Sequence, residues 1–400
     1  MKSLIRSLLL VCAIASPTLI ADTLVLVSID GCRWDYPDIH PAPNLSAMAA
    51  SGVRATKMEV VYPSKTFPAH LSLVTGLRPT QHGIIDNNFC DPTRGQCYSL
   101  GDGSKDSTWF HGVPLWNLVE LHGGLAASYF WPEANARIGG MTPTYYFNYS
   151  QQSPYSARVD QVLDWLRLPE PSRPQLVTLY FSSVDTAGHY YGPENPETAD
   201  AFTEIDRLVG RLWSGIQALP DRNINLIVTA DHGMASIDGA HAILVSELPL
   251  APGFKLINSG TRVMYYREDP AADLESFANE LRDAAAGRYQ LLDDHYLSER
   301  GFVDHPGIPD LIIETHPPAS FSNRPVALAQ RGGNHGYDPK LADMDACFIA
   351  QGPAFKSGVV VPRAHQLDVY PVATRVLGLS PVSPIESDGG ALQTILAEGY

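Results

Sequence analysis

Basic residues are scarce in this 400-residue chain, which has 28 Lys and Arg against 43 Asp and Glu and a formal net charge of −15. Proteins that bind a nucleic-acid polymer place cationic side chains against phosphates and release counterions. The acidic balance therefore argues against a nucleic-acid polymer as a partner. It remains compatible with a small anionic ligand if bound metal ions supply local positive charge.

Long apolar runs are rare beyond the N-terminus. The first segment has the form of an export signal, because Lys2 and Arg6 precede a short apolar run at residues 8–14 and small residues follow. We therefore predict a signal peptide at residues 1–21, a mature catalytic chain at residues 22–400 and a periplasmic or secreted location. A buried N-terminal strand or helix is the alternative. Since no later run approaches the roughly twenty apolar residues that cross a bilayer, we predict no stable membrane span.

Cysteine is also scarce, and four of the five cysteines follow the predicted signal: Cys32, Cys90, Cys97 and Cys347. None has the Cys-x-x-Cys spacing of a zinc or redox site. Export permits disulfides, and Cys90 and Cys97 flank a loop with proline and glycine in which a bridge is expected. Two free thiols there are the alternative. Cys32 and Cys347 could pair or remain buried thiols.

Three apolar, β-branched runs each lead to an aspartate. The runs are residues 23–29, 176–181 and 225–230, and the aspartates that follow them are Asp30, Asp185 and Asp231. Such runs are typical of buried parallel strands. Because ligands bind at the carboxyl edge of an open α/β sheet, we expect these carboxylates to meet there.

Helical patterns alternate with the strand-like runs. They cover residues 44–51 with an Asn44 cap, 69–75 starting after Pro68 and just past Thr66, 156–166, and 198–219. Residues 346–350 and 367–377 add a C-terminal strand and helix. This alternation favours an α/β fold with a mostly parallel sheet covered on both faces.

Residues 254–316 differ from this pattern. Two short strand-like runs, at residues 261–266 and 310–315, flank a helical pattern at residues 270–287. We therefore predict a small α+β insertion at about residues 254–316.

Five segments cluster aspartate, histidine and threonine beside glycine or proline, around Asp30, Thr66, Asp185–His189, Asp231–His232 and His335. Imidazole and carboxylate ligands without thiolate suit zinc in a catalytic setting. Asp185 and His189 are four residues apart and share a face if the segment is helical. Asp231 and His232 are adjacent and could serve one metal or two. Any one of these histidines alone would be read as structural; the five segments together predict a metal centre.

Thr66 is the candidate nucleophile. Pro63 and Pro68 constrain the chain on both sides of it. A threonine hydroxyl is a weak nucleophile unless a metal ion stabilises its alkoxide, and a second metal ion could then hold a non-bridging phosphate oxygen. A threonine that caps the following helix is the alternative.

The ordered set of motifs resembles the nucleotide pyrophosphatase/phosphodiesterase family of the alkaline phosphatase superfamily, in its compact bacterial form. The resemblance implies an alkaline-phosphatase-like three-layer α/β/α sandwich that binds two Zn²⁺ ions. One zinc site is implied at Asp30, Thr66, Asp231 and His232, and the other at Asp185, His189 and His335. Thr66 is implied to form a covalent intermediate with the transferred group.

The resemblance also implies residues that bind the substrate. Asn87, in the segment His82-Gly-Ile-Ile-Asp-Asn87, matches an asparagine that contacts a phosphate oxygen, although Asn88 is adjacent. Phe67 and Tyr149 match aromatics that stack on a nucleotide base, for which packing alone is the alternative. A neutral amide, in place of a cation, suits a diester that carries one negative charge.

We therefore predict a phosphoric diester hydrolase that releases nucleoside 5′-monophosphates from small nucleotide substrates. The alternatives are a phosphodiesterase of lipid headgroups such as choline phosphodiesters, a phosphomonoesterase or phosphonate hydrolase on the same metal core, and a non-catalytic zinc-binding protein. The sequence does not specify an oligomeric state.

Overall fold

A computed structural model describes residues 22–219, 222–324 and 331–400, and the predicted signal peptide lies outside them. The α-helices are α1 (Tyr36–Ile39), α2 (Pro43–Ser51), α3 (Thr66–Thr75), α4 (Pro79–His82), α5 (Leu115–Leu121), α6 (Tyr155–Arg167), α7 (Ser183–Tyr191), α8 (Pro196–Gln217), α9 (Leu274–Ala285), α10 (Asp294–Glu299) and α11 (Val369–Val376). Within these described ranges, no helix combines the length and apolar character needed to cross a bilayer.

The strands are β1 (Thr23–Ile29), β2 (Val53–Glu59), β3 (Asn88–Asp91), β4 (Gln96–Ser99), β5 (Ala126–Tyr129), β6 (Tyr145–Phe147), β7 (Leu176–Phe181), β8 (Ile224–Thr229), β9 (Ala235–Asp238), β10 (Ile243–Leu244), β11 (Phe254–Asn258), β12 (Arg262–Arg267), β13 (Gln290–Leu291), β14 (Leu311–Glu314), β15 (Phe321–Ser322), β16 (Arg331–Asn334), β17 (Ala346–Gln351), β18 (Val359–Val361) and β19 (Ala364–His365).

The central sheet has nine strands in the order β18-β2-β17-β8-β1-β7-β5-β6, with β19 beside β2. β1 pairs in parallel with both β7 and β8, whereas β17 runs antiparallel to β8 and β2. β1 is apolar because both faces of the sheet are covered: α2 and α6 pack on α8, and α3 and α5 pack on α11. The predicted mostly parallel sheet is confirmed, and it brings the ends of β1, β7 and β8 to one edge.

Two helices begin differently from the predictions. α2 begins at Pro43, so the predicted Asn44 cap is wrong; the Asn44 side chain instead donates to Asp206 Oδ2 at 2.7 Å. α3 begins at Thr66 itself and includes Pro68. Proline is tolerated there because the first N–H groups of a helix have no partner within it. The predicted helices at 156–166 and 198–219 are confirmed as α6 and α8.

A second sheet has the order β11-β12-β14-β13 and is antiparallel. α9 covers it, and Phe277 and Leu281 of this helix pack with Val263 and Ile313 in a small separate core. The predicted strands and helix of this segment are present, whereas β11, which is mostly half-exposed, and β13 were not predicted. The bounds of the insertion, residues 254–316, stay a prediction.

Candidate active site

One group of candidate metal-ligand side chains lies at the carboxyl edge of the central sheet. Asp30, Asp231 and His232 are buried, and their candidate ligand atoms all lie within 4.8 Å of one another. His232 Nε2 is 3.0 Å from Asp231 Oδ2 and 3.5 Å from Asp30 Oδ1. The adjacent Asp231 and His232 therefore contribute to the same group.

A second group contains Asp185, His189 and His335. The Nε2 atoms of His189 and His335 lie 3.3 Å and 3.6 Å from Asp185 Oδ1. Asp185 and His189 share a face of α7, as predicted from their spacing. The two groups adjoin, because the rings of His232 and His335 stack with centroids 3.5 Å apart.

The three imidazoles are oriented by backbone carbonyls. Each Nδ1 lies 2.9 to 3.0 Å from a carbonyl oxygen, and the pairs are His189 with Gly333, His232 with Gly233, and His335 with Ser64. A carbonyl only accepts hydrogen bonds, so each Nδ1 carries the proton. This arrangement leaves each Nε2 lone pair available to a metal ion.

The carboxylates need positive charge. Asp30 Oδ1, Asp185 Oδ1 and Asp231 Oδ2 are buried without a hydrogen-bond partner among the described residues. Burial, followed by repulsion from Asp185, raises the pKa of Asp231 to about 8, and burial also raises the pKa of Asp30. Buried, unpaired carboxylates are costly unless a cation compensates them. The nitrogen and oxygen donors fit zinc, and the same donor set without thiolate is typical of its catalytic sites.

Thr66 lies beside the first group, with its Oγ1 3.3 Å from His232 Nε2. It is the first residue of α3, and Lys65 occupies the N-cap position without a side-chain capping bond. One helical turn later, His70 Nδ1 is 2.8 Å from the Thr66 carbonyl oxygen, and His70 Nε2 is 2.8 Å from Ser28 Oγ. Burial lowers the pKa of His70 to about 3. A neutral His70 thus ties the first turn of α3 to β1. The sequence alone gives His70 no specific role, although its i, i+4 spacing from Thr66 is a signal that could indicate one.

Asn87 and Phe67 are joined by a hydrogen bond. The Phe67 backbone N–H donates to Asn87 Oδ1 at 3.0 Å. This bond uses the amide oxygen and leaves the Asn87 nitrogen as the donor for a ligand. Asn87 lines the cavity described below, whereas Asn88 begins β3 and is exposed. The structure therefore places Asn87, of the two adjacent asparagines, at the site.

A cavity of about 530 Å³ opens beside Thr66. Its walls include Asp30, Asp185, Thr66, Asn87, Phe67 and Tyr149. Tyr149 is 49% exposed, so its ring is accessible for stacking. The volume falls within the range of small-molecule sites.

Tyr180 is a site residue that the sequence did not reveal. Its hydroxyl donates to Asp30 Oδ2, and its ring lines the cavity. It lies within β7, where an aromatic residue is ordinarily read as part of the core. Only the pairing of β7 with β1 places its hydroxyl beside Asp30.

The chain matches known proteins over most of its length. Residues 24–338 match the family model described as type I phosphodiesterase / nucleotide pyrophosphatase. The chain is 33% identical to the venom phosphodiesterase of Macrovipera lebetinus over 388 residues, covering 94% of this chain and 45% of that protein. It is 32% identical to human ectonucleotide pyrophosphatase/phosphodiesterase family member 1 over 390 residues, covering 93% of this chain and 41% of that protein. It thus spans less than half the length of these curated relatives.

The fold is similar to that of murine ectonucleotide pyrophosphatase/phosphodiesterase 5, solved as an inactive variant in complex with AMP. The TM-score is 0.85 at 26% identity, and the match covers 94% of this chain and 100% of that chain. The predicted alkaline-phosphatase-like α/β fold is confirmed. The chain belongs to the type I phosphodiesterase / nucleotide pyrophosphatase family.

Proposed function

We propose that the chain hydrolyses phosphodiester and pyrophosphate bonds of small nucleotides and releases nucleoside 5′-monophosphates. The observation that carries this proposal is the position of Thr66, which lies beside one metal-ligand group and on the wall of a cavity that also presents Asn87, Phe67 and Tyr149. The murine structural relative binds AMP, which supports a nucleotide as the ligand.

In the proposed reaction, Thr66 Oγ1 attacks phosphorus, and the bond from phosphorus to the leaving oxygen breaks. The nucleotidyl group is then held on Thr66 until water displaces it. Two Zn²⁺ ions bound by the two groups would lower the pKa of the Thr66 hydroxyl and offset charge on the transferred phosphate. Three ligand carboxylates and the Thr66 alkoxide would carry four negative charges, which two Zn²⁺ ions would balance.

The lining of the cavity favours a diester over a monoester. Among the described residues, its walls include neither lysine nor arginine. Lys65, next to the nucleophile, donates instead to the Ser259 carbonyl oxygen at 2.6 Å. The Asn87 amide is a neutral donor, which suits a phosphate carrying one charge and a second substituent.

The test measures hydrolysis of four substrates by the purified, zinc-loaded chain. Two are nitrophenyl esters, of which one is a phosphomonoester and the other a methyl phosphodiester. The other two are ATP and a dinucleotide. We expect kcat/KM to be highest for the nucleotides, with AMP as product, and lowest for the monoester. A monoester preference would contradict the proposal. A choline phosphodiester is assayed in parallel, and faster hydrolysis of it than of the nucleotides would indicate a lipid-headgroup enzyme instead.

We infer that the chain acts after export, as predicted from residues 1–21. The names of its relatives describe a venom protein and an ectoenzyme, which supports this location. N-terminal sequencing of the protein from culture medium or periplasm tests the inference, and an intact Met1 would contradict it.

A further inference from the structure

Glu133 is a buried acidic residue on the wall of the cavity. The residue is 4% exposed, and its backbone has φ 62°, in the left-handed region that favours glycine. Phe130, three residues earlier, has φ 68° and lines the same cavity. Strained residues of this kind persist where the surrounding structure holds them, and they concentrate at ligand sites. Because two such residues lie in one short segment, we treat this wall of the cavity as a candidate ligand-binding surface.

The two oxygens of the Glu133 carboxyl differ. Oε1 accepts from the Tyr98 hydroxyl at 2.6 Å and from the Gly103 N–H at 3.3 Å. Oε2 is buried and has no hydrogen-bond partner in the described part of the chain. A buried acceptor without a partner is unfavourable, and a donor from a bound ligand would satisfy it. The carboxyl is therefore fixed at one oxygen and unsatisfied at the other.

The segment that carries Glu133 adjoins the proposed position of the base. The ring centroids of Phe130 and Tyr149 are 5.2 Å apart. Stacking on Phe67 and Tyr149 would use only the faces of a base and would hardly distinguish one base from another. Discrimination requires a group that contacts the edge, where amino groups donate and oxo groups accept. A carboxylate oxygen can only accept.

We propose that Glu133 determines base preference by accepting a hydrogen bond from the exocyclic amino group of the nucleobase. The inference rests on the proposed function, because it concerns the same cavity and substrate class. It predicts that substrates with adenine or cytosine are preferred over substrates with the corresponding oxo bases, hypoxanthine or uracil. An oxo group facing Oε2 would leave two acceptors opposed, which disfavours that substrate.

A purely structural role for Glu133 makes a different prediction. If the carboxyl serves only to fasten its segment to Tyr98 and Gly103, its replacement would weaken all nucleotides alike. The ratio of kcat/KM for ATP to that for ITP separates the two roles, because these substrates differ at one position of the base. CTP and UTP provide a second matched pair.

For the zinc-loaded wild-type chain we expect kcat/KM for ATP to exceed that for ITP by about tenfold or more. This ratio corresponds to the free energy that a hydrogen bond to a charged group contributes. Glu133→Gln keeps an oxygen for Tyr98 and places a donor where Oε2 stood, so the ratio should fall below one. Glu133→Gly adopts the positive φ without strain and should fold, with a ratio near one. Tyr98→Phe removes only the anchoring hydroxyl and should lower the melting temperature while ATP remains preferred.

Equal kcat/KM for ATP and ITP in the wild-type chain would overturn the inference. So would an unchanged ratio in both Glu133 variants, or a loss of preference in Tyr98→Phe as large as in Glu133→Gln. Failure of the proposed role of Glu133 can be distinguished from failure of the proposed function. If methyl p-nitrophenyl phosphate is hydrolysed as well as ATP by the wild-type chain, the proposed function fails; if nucleotides are strongly preferred without regard to the amino group, only the role of Glu133 fails.

Discussion

Arg262, the first residue of β12 in the small sheet, donates through Nε to Asp86 Oδ2 at 2.9 Å, and both side chains are fully buried. Asp86 immediately precedes Asn87, and it also accepts from Ser259 Oγ at 2.8 Å. The Arg262 guanidinium packs over the ring of Tyr62, 5.2 Å from its centroid. The small sheet is therefore fastened to the segment that carries Asn87.

Replacing Arg262 by methionine should destabilise the protein by about 3–5 kcal/mol, because it leaves the Asp86 charge buried without a partner. Urea denaturation measures the change. Arg211→Met is the control, since Arg211 pairs with Asp160 at the surface and its loss should cost about 0–1 kcal/mol. Equal effects of the two substitutions would contradict the importance of the buried pair, and Asp86→Asn added to Arg262→Met should recover part of the loss.

Thr66→Ala should lower kcat/KM on a nucleotide diester by at least about a thousandfold, because the attacking oxygen is removed. Thr66→Ser keeps a hydroxyl and should retain measurable activity. Thr203→Ala changes a threonine of α8 that bonds to the Ala199 carbonyl and should leave the rate unchanged. Steady-state kinetics with a nitrophenyl nucleotide measures all three, and full activity of Thr66→Ala would refute the nucleophile assignment.

Removal of metal should abolish activity and lower the melting temperature, because the chelated protein must bury Asp30, Asp185 and Asp231 without a compensating cation. Added Zn²⁺ should restore both properties. His335→Ala should reduce the bound zinc from about two ions to about one, as expected for the loss of one ligand from a three-residue group. His295→Ala, at a side chain 83% exposed, should leave the zinc content unchanged. Full activity in excess chelator would argue against a metal centre.

Phe67→Ala should lower kcat/KM for ATP by about 5-fold to 160-fold relative to a methyl nitrophenyl diester, since stacking on a base contributes roughly 1–3 kcal/mol. Tyr149→Ala should act in the same direction. Tyr190→Ala removes a ring that is 73% exposed and does not line the cavity, and it serves as the control. Equal losses on ATP and on the methyl diester would show that these rings do not contact the base.

Asp345 should make the free energy of unfolding depend on pH. Burial raises its pKa to about 6 from 3.8, although Arg363 opposes the shift. The folded state thus holds this proton more tightly than the unfolded state, so the stabilisation is complete below about pH 3.8 and is lost as the pH rises to about 6. The difference in unfolding free energy between wild type and Asp345→Asn should fall across this window and level off above it. A constant difference from pH 4 to 7 would contradict the prediction.

The sequence was sufficient for the central strands, and it named all six side chains that the structure brings together in the two candidate metal-ligand groups. Buried parallel strands are apolar along their whole length, so β1 and β7 were predicted with their observed bounds. Asp30, Asp185 and Asp231 stood out because each carboxylate follows soon after the end of such a strand and has no role in the core. The prediction that Asn44 caps α2 was wrong. The Asn44 side chain instead contacts Asp206, 162 residues away in the sequence, and local sequence patterns do not reveal such a contact.

By itself, the sequence determined the fold class, the residue types of the candidate metal centre and the candidate nucleophile, because these depend on local hydrophobicity and on side-chain chemistry at strand ends. Residue chemistry left open whether Asp231 and His232 serve one metal or two, and the family resemblance implied one site; the tertiary structure places both in one group. It also places Asn87, the asparagine that the resemblance indicated, on the cavity wall. Only the tertiary structure decided that Tyr180 supports Asp30. It also placed Glu133 on the wall of that cavity with one oxygen unsatisfied. These relationships join residues far apart in the chain, and no local pattern specifies which distant side chains a folded sheet brings into contact.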